Sequence, residues 1–140
     1  MVDFLSPAER SALMSKVRGR NTKPELRVRR LLHGLGYRFR LHDPRLPGRP
    51  DIVFSRRKRV VFVHGCFWHG HGCQKRDVES LPAFWRDKIT RNRIRDAQVM
   101  RDLTEAGWSA AVIWECELKV RTLPATEEKL ASFLGPPRIS

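Results

Sequence analysis

The sequence lacks the long apolar segment that a membrane-spanning helix needs. No run of about 18 apolar residues occurs in it, so we expect a protein that does not span a membrane. The stretch MVDFLSPAERSALMSK also lacks the apolar centre of a secretory signal peptide. The two absences together predict a cytoplasmic protein.

Cysteine is scarce, since the chain holds only Cys66, Cys73 and Cys116. An odd number argues against the disulfide framework of a small secreted protein. In a reducing compartment, thiols that lie near histidines more often bind a metal ion.

Acidic residues are also few: 15 Asp and Glu stand against 28 Lys and Arg, giving a formal net charge of +13 and a pI near 11.0. An excess of this size in a small domain indicates a polyanionic partner. The alternative is a surface whose charge only keeps the protein soluble. Arginine outnumbers lysine, and the planar guanidinium group suits phosphate.

The chain lacks internal repeats and linkers. Its 140 residues, 41% of them hydrophobic, are enough for one domain with its own core. We therefore predict a single domain over 1–140, with a helical arm over 1–20 and a loose tail over 135–140. Within the arm, Ser6 is the expected N-cap of a helix over 6–18.

Apolar periodicity predicts a mixed α/β sheet flanked by helices. Thr22 and Glu25 fit a capping box that begins a helix ending at Gly34 or Gly36. The other expected elements are strands over 37–43, 51–55, 59–65 and 109–115, a long helix from Pro82 to Gly107, and a last helix over 126–134. The strand–helix–strand order predicts a parallel pairing through a right-handed crossover, and we expect strand 109–115 to be central.

Two unusual features fall at strand ends, where sites in such sheets gather. Asp51 begins one strand, and a run of cysteine and histidine leaves the end of the next. If the two strands form an antiparallel hairpin, both features lie at the same end of the sheet.

The stretch VHGCFWHGHGC, residues 63–73, contains three histidines, two cysteines and two large aromatic residues. Zinc prefers four tetrahedral ligands of this kind, and the spacing suits a loop folded around one ion. The predicted zinc ligands are Cys66, His71, Cys73 and Cys116. His64 or His69 could replace His71. Four protein ligands leave no position for water, so the predicted zinc is structural; the alternative is ordinary buried thiols and surface histidines.

Asp51 and Glu25 supply carboxylates, which are the ligands that a hard cation such as Mg²⁺ prefers. With the excess of positive charge they favour phosphodiester chemistry. For Glu25 the alternative is a purely structural role in the capping box.

Phe67 and Trp68 stand among glycines, which indicates either stacking on DNA bases or a small core beneath the loop. Trp85 has the same two interpretations. The basic helical segment 86–101 includes Lys88, but its charges fall on more than one face, so only some are expected to contact DNA.

Four motifs resemble those of the very-short-patch-repair (Vsr) mismatch endonucleases: LPGRPDIVF, FVHGCFWHGHGC, FWRDKITRNRIRDAQVMRDLTEAGW and VIWECEL. The resemblance extends from about Ser15 to Lys119. It implies a restriction-endonuclease-like α/β fold, with a mixed central sheet flanked by helices and a structural zinc loop. It also implies a magnesium-dependent enzyme that nicks DNA 5′ of the thymine in a T·G mismatch. Such a nick starts very short patch repair of deaminated 5-methylcytosine.

The resemblance implies a role for each catalytic residue. Asp51 and the main-chain carbonyl of Val63 hold Mg²⁺. His69 is the general base and Asp96 orients it. Glu25 and His64 position water at the metal. The implied ligands of structural Zn²⁺ are again Cys66, His71, Cys73 and Cys116.

The resemblance also implies how DNA is bound. The residues implied to contact DNA are Phe67, Trp68 and Trp85 beside the mismatch, Met14 from the other groove, and Lys88. The arm over 1–20 would then reach toward DNA. The implied partners are double-stranded DNA with a T·G mismatch and a MutL-type repair protein. The implied oligomeric state is a monomer, and the implied location is the bacterial cytoplasm, in association with the nucleoid. Two alternatives are a zinc-stabilised DNA-binding module without catalysis and a restriction-type nuclease without mismatch specificity.

Overall fold

The computed structural model describes residues 22–71 and 78–137. The helix expected over 6–18, Met14, Cys73 and the last three residues of the expected tail lie outside the described residues.

The described residues form a mixed α/β fold with one four-stranded sheet and three α-helices, which confirms the predicted class. The strands are β1 (Arg40–Leu41), β2 (Ile52–Phe54), β3 (Arg59–His64) and β4 (Ser109–Trp114). The helices are α1 (Lys23–Gly34), α2 (Ala83–Glu105) and α3 (Leu123–Leu134). Short 3₁₀ turns cover Val78–Ser80 and Glu115–Leu118. None of the helices in the described ranges combines the length and apolarity that a membrane crossing requires.

The sheet has the strand order β1-β2-β3-β4. β2 and β3 form the predicted antiparallel hairpin, and β3 pairs with β4 in parallel, as the crossover through α2 predicted. The expectation that strand 109–115 is central was wrong, because β4 is an edge strand of the described sheet and β3 lies inside it. From α3, Lys129 Nζ donates to the carbonyl of Val112 at 2.8 Å, which occupies part of the edge.

The strand expected over 37–43 is much shorter than predicted. Tyr37 is buried and donates its hydroxyl to the carbonyl of Gly135. His42 has a φ of +46°, which takes the chain out of the extended conformation. Only Arg40–Leu41 therefore pairs with β2.

The helix bounds agree more closely. Thr22 caps α1, where its side chain accepts the backbone N–H of Glu25 at 3.3 Å. α3 begins three residues before the expected start, because Pro124 is well suited to a first helical turn.

Alternate residues of the hairpin pack on opposite faces of the sheet, as the two-residue period of a strand requires. Ile52, Phe54 and Val61 face the core that includes α1 and α3. Val53, Val60 and Phe62 face the core that includes Leu103 of α2. The two cores fix the hairpin on both faces, and its open end leads into a cleft.

Candidate active site

A cleft of about 850 Å³ opens at the end of the sheet where β2 begins and β3 ends. The predicted site residues among its lining are Asp51, Val63, His64, Trp68, His69, Lys88 and Asp96. Asp51 and His69 therefore share one cavity, although Asp51 lies just before β2 and His69 lies in the loop that follows β3.

Asp51 is held at the mouth of the hairpin by the neighbouring strand. The backbone N–H of Val63 donates to Asp51 Oδ2 at 2.7 Å. Burial raises the pKa of Asp51 to about 6, while the Val63 hydrogen bond and the charge of Arg29 act in the opposite direction. A carboxylate in this position gains stability from a nearby cation, so its donor atoms and charge fit a magnesium ligand.

His69 lies between a carboxylate and a second histidine. Its Nδ1 is 2.6 Å from Asp96 Oδ2, and its ring stacks on that of His64 with centroids 3.8 Å apart and planes 1° apart. Although burial opposes the effect, the contact with His69 holds the pKa of Asp96 below its usual value. Because Nδ1 faces the carboxylate, Nε2 is the nitrogen that can accept a proton from water.

His64 is more deeply buried than His69. Burial first, and then the charge of His69, lower the pKa of His64 to about 4. The imidazole of His64 is therefore neutral at pH 7. Its Nδ1 is buried and has no hydrogen-bond partner among the described residues.

Helix α2 fixes the loop that carries His69. Asn92 Nδ2 donates to the carbonyl of Trp68 at 2.7 Å, and Arg93 Nη2 donates to the carbonyl of Gly70 at 2.5 Å. Gly70 has a φ of +63°, and a Cβ atom there would collide with the guanidinium of Arg93. Sequence reasoning missed Asn92, but its position four residues before Asp96 is a usable signal, because both then share one helix face.

A second carboxylate, Glu25, is linked to Asp51 by His42, which the sequence did not single out. Glu25 Oε2 contacts Arg29 Nη2 and lies 2.9 Å from His42 Nε2. The same nitrogen is 3.9 Å from Asp51 Oδ1. The available signal was a histidine near the end of the strand expected over 37–43, a few residues before Asp51.

Three of the four predicted zinc ligands converge. The ligand atoms of Cys66, His71 and Cys116 lie within 4.8 Å of one another, and His71 stacks on Trp114 with centroids 4.1 Å apart. Thiolate and imidazole donors fit zinc. Cys73 lies outside the described residues, so the zinc site stays a prediction.

The predicted DNA-contacting aromatics pack on one another. Phe67 and Trp68 cover a small core of Leu81, Trp85 and Ile89, and Trp85 is only 2% exposed. Trp85 therefore fits the alternative of a small core beneath the loop, whereas Phe67 and Trp68 are half-buried on its surface. Of the three aromatics, Trp68 also lines the cleft, while Met14 lies outside the described residues.

The cleft thus combines a carboxylate that can hold a divalent cation with a histidine oriented by an aspartate. These are the groups that metal-dependent hydrolases use to activate water and to stabilise charge on a phosphate.

Comparison with known proteins identifies the family. The family model described as DNA mismatch endonuclease Vsr matches residues 2–75. The chain is 51% identical over 140 residues to the type II nicking enzyme V.XorIIP of Xanthomonas oryzae, covering 97% of this chain and 99% of that protein. It is 41% identical over 135 residues to the DNA mismatch endonuclease Vsr of Escherichia coli, covering 96% and 86%. It is 44% identical over 124 residues to the type II nicking enzyme V.NmeAIP of Neisseria meningitidis, covering 88% and 89%.

The chain therefore belongs to the Vsr family of DNA mismatch endonucleases. The predicted family and the predicted class of enzyme, a DNA endonuclease, are confirmed. The predicted strand-nicking reaction agrees with the names of the two nicking enzymes.

Proposed function

We propose that the protein is a magnesium-dependent endonuclease that nicks double-stranded DNA 5′ of the thymine in a T·G mismatch, and so starts very short patch repair of deaminated 5-methylcytosine. One observation carries the proposal: Asp51 and the His69–Asp96 pair line the same cleft.

His69 acts as the general base. Its Nε2 accepts a proton from the attacking water, while Asp96 keeps Nδ1 as the hydrogen-bond donor and stabilises the imidazolium that forms. Asn92 and Gly70 hold the loop, which limits the misplacement that would slow the reaction.

Asp51 and the main-chain carbonyl of Val63 would hold Mg²⁺, with Glu25 and His64 close enough to order water. When bound, Mg²⁺ stabilises the negative charge that grows on the phosphate and the leaving oxygen. The buried carboxylate of Asp51 supports this assignment, because burial, which raises its pKa, removes the water that a bound cation would replace in stabilising its charge.

The charge of the chain supports DNA as the substrate. A net charge of +13 attracts the phosphate backbone, and Arg49, Lys88 and Arg95 line the cleft beside the catalytic residues. These residues bind backbone phosphates and hold the strand to be cut over His69.

Phe67 and Trp68 supply the preference for a mismatch. They insert beside the mismatched step, which costs less to open than a paired step, so insertion discriminates without reading every base. Trp85 supports them from the small core beneath the loop.

The relatives favour a second candidate. Two of them are named type II nicking enzymes, and those names do not mention a mismatch. The second candidate is a nicking nuclease that cuts a particular sequence whether or not it contains T·G.

A nicking assay on end-labelled duplexes separates the candidates. The duplexes carry T·G, T·A or C·G at one position in several flanking sequences, with Mg²⁺ present. We expect nicking of T·G well above both paired duplexes; equal nicking of all three would replace the proposal by the second candidate. Asp51→Asn should bind DNA without cutting it, and Asp87→Asn, which removes an exposed carboxylate of α2, should cut normally.

The structural zinc site, the single domain over 1–140 and the cytoplasmic location remain parts of the proposal that rest on the sequence. The MutL-type partner rests on the family resemblance.

A further inference from the structure

His42 has no role in the proposed mechanism, yet its Nε2 lies between the carboxylates of Glu25 and Asp51. The ligand atoms of Glu25, His42 and Asp51 lie within 4.8 Å of one another. Three donor atoms at this spacing can share one divalent cation, with oxygen from the carboxylates and nitrogen from the imidazole.

The backbone directs His42 toward these carboxylates. The short β1–β2 pairing sets Leu41 opposite Ile52, so the next residue, His42, lies beside Asp51. The φ of +46° at His42 is uncommon for a residue with a side chain. Conformations of this kind cluster at functional sites, and here the conformation accompanies an imidazole turned toward Glu25 and Asp51.

The oxygen atoms of the two carboxylates differ in their contacts. Arg29 contacts the same oxygen of Glu25 that His42 approaches, so Arg29 offsets one of the two negative charges. Asp51 Oδ2 accepts the N–H of Val63, whereas Oδ1 faces His42 at 3.9 Å. Oδ1 is therefore the Asp51 oxygen that a cation shared with His42 would contact.

We propose that Glu25, His42 and Asp51 form a mixed nitrogen–oxygen site for the divalent cation that Asp51 holds, with His42 Nε2 as a further direct ligand and Glu25 acting through metal-bound water. The inference deepens the proposed function, because it rests on the metal role of Asp51. Mg²⁺ demands a near-octahedral shell of oxygen ligands and gives up water reluctantly, whereas Mn²⁺, a transition-metal ion, accepts a nitrogen donor among its oxygen ligands. The site therefore binds Mn²⁺ more tightly than Mg²⁺.

The test uses the full chain as purified, titrated with Mn²⁺ alone and without DNA. Pulsed electron paramagnetic resonance detects nitrogen coupled to bound Mn²⁺, and calorimetry gives the Mn²⁺ and Mg²⁺ affinities. We expect nitrogen coupling in the wild type. His42→Gln exchanges the nitrogen ligand for an amide oxygen, so the coupling should disappear and Mn²⁺ affinity should fall by at least about tenfold, while Mg²⁺ affinity stays unchanged.

His33→Gln is the matched control, because His33 is exposed, stacks on Phe39 and belongs to none of the candidate metal clusters among the described residues. It should bind Mn²⁺ like the wild type. Nitrogen coupling that persists in His42→Gln, or that is missing from the wild type, would overturn the proposed site.

The Mn²⁺-binding experiment and the DNA-nicking assay distinguish failure of the proposed metal site from failure of the proposed function. If Asp51→Asn fails to nick DNA while His42→Gln keeps the nitrogen coupling, the site is wrong and the proposed function stands. If Asp51→Asn nicks DNA normally, the metal role of Asp51 in the proposed function is wrong, whatever His42→Gln shows.

Discussion

Charged side chains have different roles at the two ends of the β2–β3 hairpin. At the turn end, Arg57 donates to the carbonyls of Leu134 and Pro136, and Arg59 donates to the carbonyl of Phe133 at 2.7 Å. These carbonyls lie at or just beyond the C-terminus of α3, where a helix leaves its last acceptors without partners within the helix. The two arginines therefore cap the C-terminus of α3, and these contacts stabilise the fold.

The cleft end of the same strands instead buries groups whose ionisation is perturbed. The pKa of Asp51 is raised to about 6 and that of His64 is lowered to about 4, with burial as the main cause in both. A buried ionisable group that lacks full compensation lowers stability, and active sites commonly contain such groups. One hairpin therefore contributes to stability at its turn and to chemistry at its open end. Substitutions at the two ends should separate these roles.

The largest effect is expected from removal of the general base at the cleft end. His69→Ala should slow nicking of the T·G duplex by about 10²–10⁴-fold, the usual contribution of a positioned general base. DNA affinity should change little, because the charge of the cleft wall remains. Single-turnover cleavage and a filter-binding titration measure the two quantities, and His33→Ala is the control. A loss of affinity without slower single-turnover cleavage would contradict the role of His69.

Asp51→Asn should stabilise the protein while it abolishes cutting. Because the folded-state pKa of Asp51 is raised from 3.8 to about 6, the folded state binds a proton more readily than the unfolded state between those values. Its ionised carboxylate therefore destabilises the fold, fully above pH 6 and not at all below pH 4. The difference in pKa corresponds to about 3 kcal/mol as an upper value.

Urea unfolding without added divalent ions measures this effect. The free energy of unfolding of Asp51→Asn should exceed that of the wild type at pH 8, and the difference should vanish near pH 4. Asp87→Asn, which removes an exposed carboxylate, is the control variant. A variant that is less stable than the wild type at pH 8 would mean that the hydrogen bond from Val63 outweighs the burial of charge.

The shared location of Asp51 and the Cys–His run was predictable because it depends on a hairpin, which alternating apolar residues around a short basic turn indicate well. The edge position of β4 was not predictable in the same way. A short apolar run such as SAAVIWE suits an edge strand packed on one side as well as a central strand, and only the pairing partners decide between them.

His42 was missed for a different physical reason. The alternation of YRFRLHD predicts an extended strand, and a left-handed φ at a histidine has no strong local signal. Its contact with Glu25 depends on where α1 packs relative to β1, which is a tertiary feature. Asn92 is the opposite case, because its helical spacing from Ile89 and Asp96 was visible in the sequence and only its partner, the carbonyl of Trp68, was not.

The smallest effect is expected at the turn end. Arg57→Met should lower the free energy of unfolding by about 1.5–3 kcal/mol, because it removes charged hydrogen bonds to two carbonyls at the end of α3. It should leave the single-turnover rate of nicking unchanged at temperatures where the variant is folded. Arg56→Met is the matched control, since the neighbouring Arg56 is exposed and should change neither quantity. Slower nicking by folded Arg57→Met would show that the two ends of the hairpin are coupled and that their division of roles is incomplete.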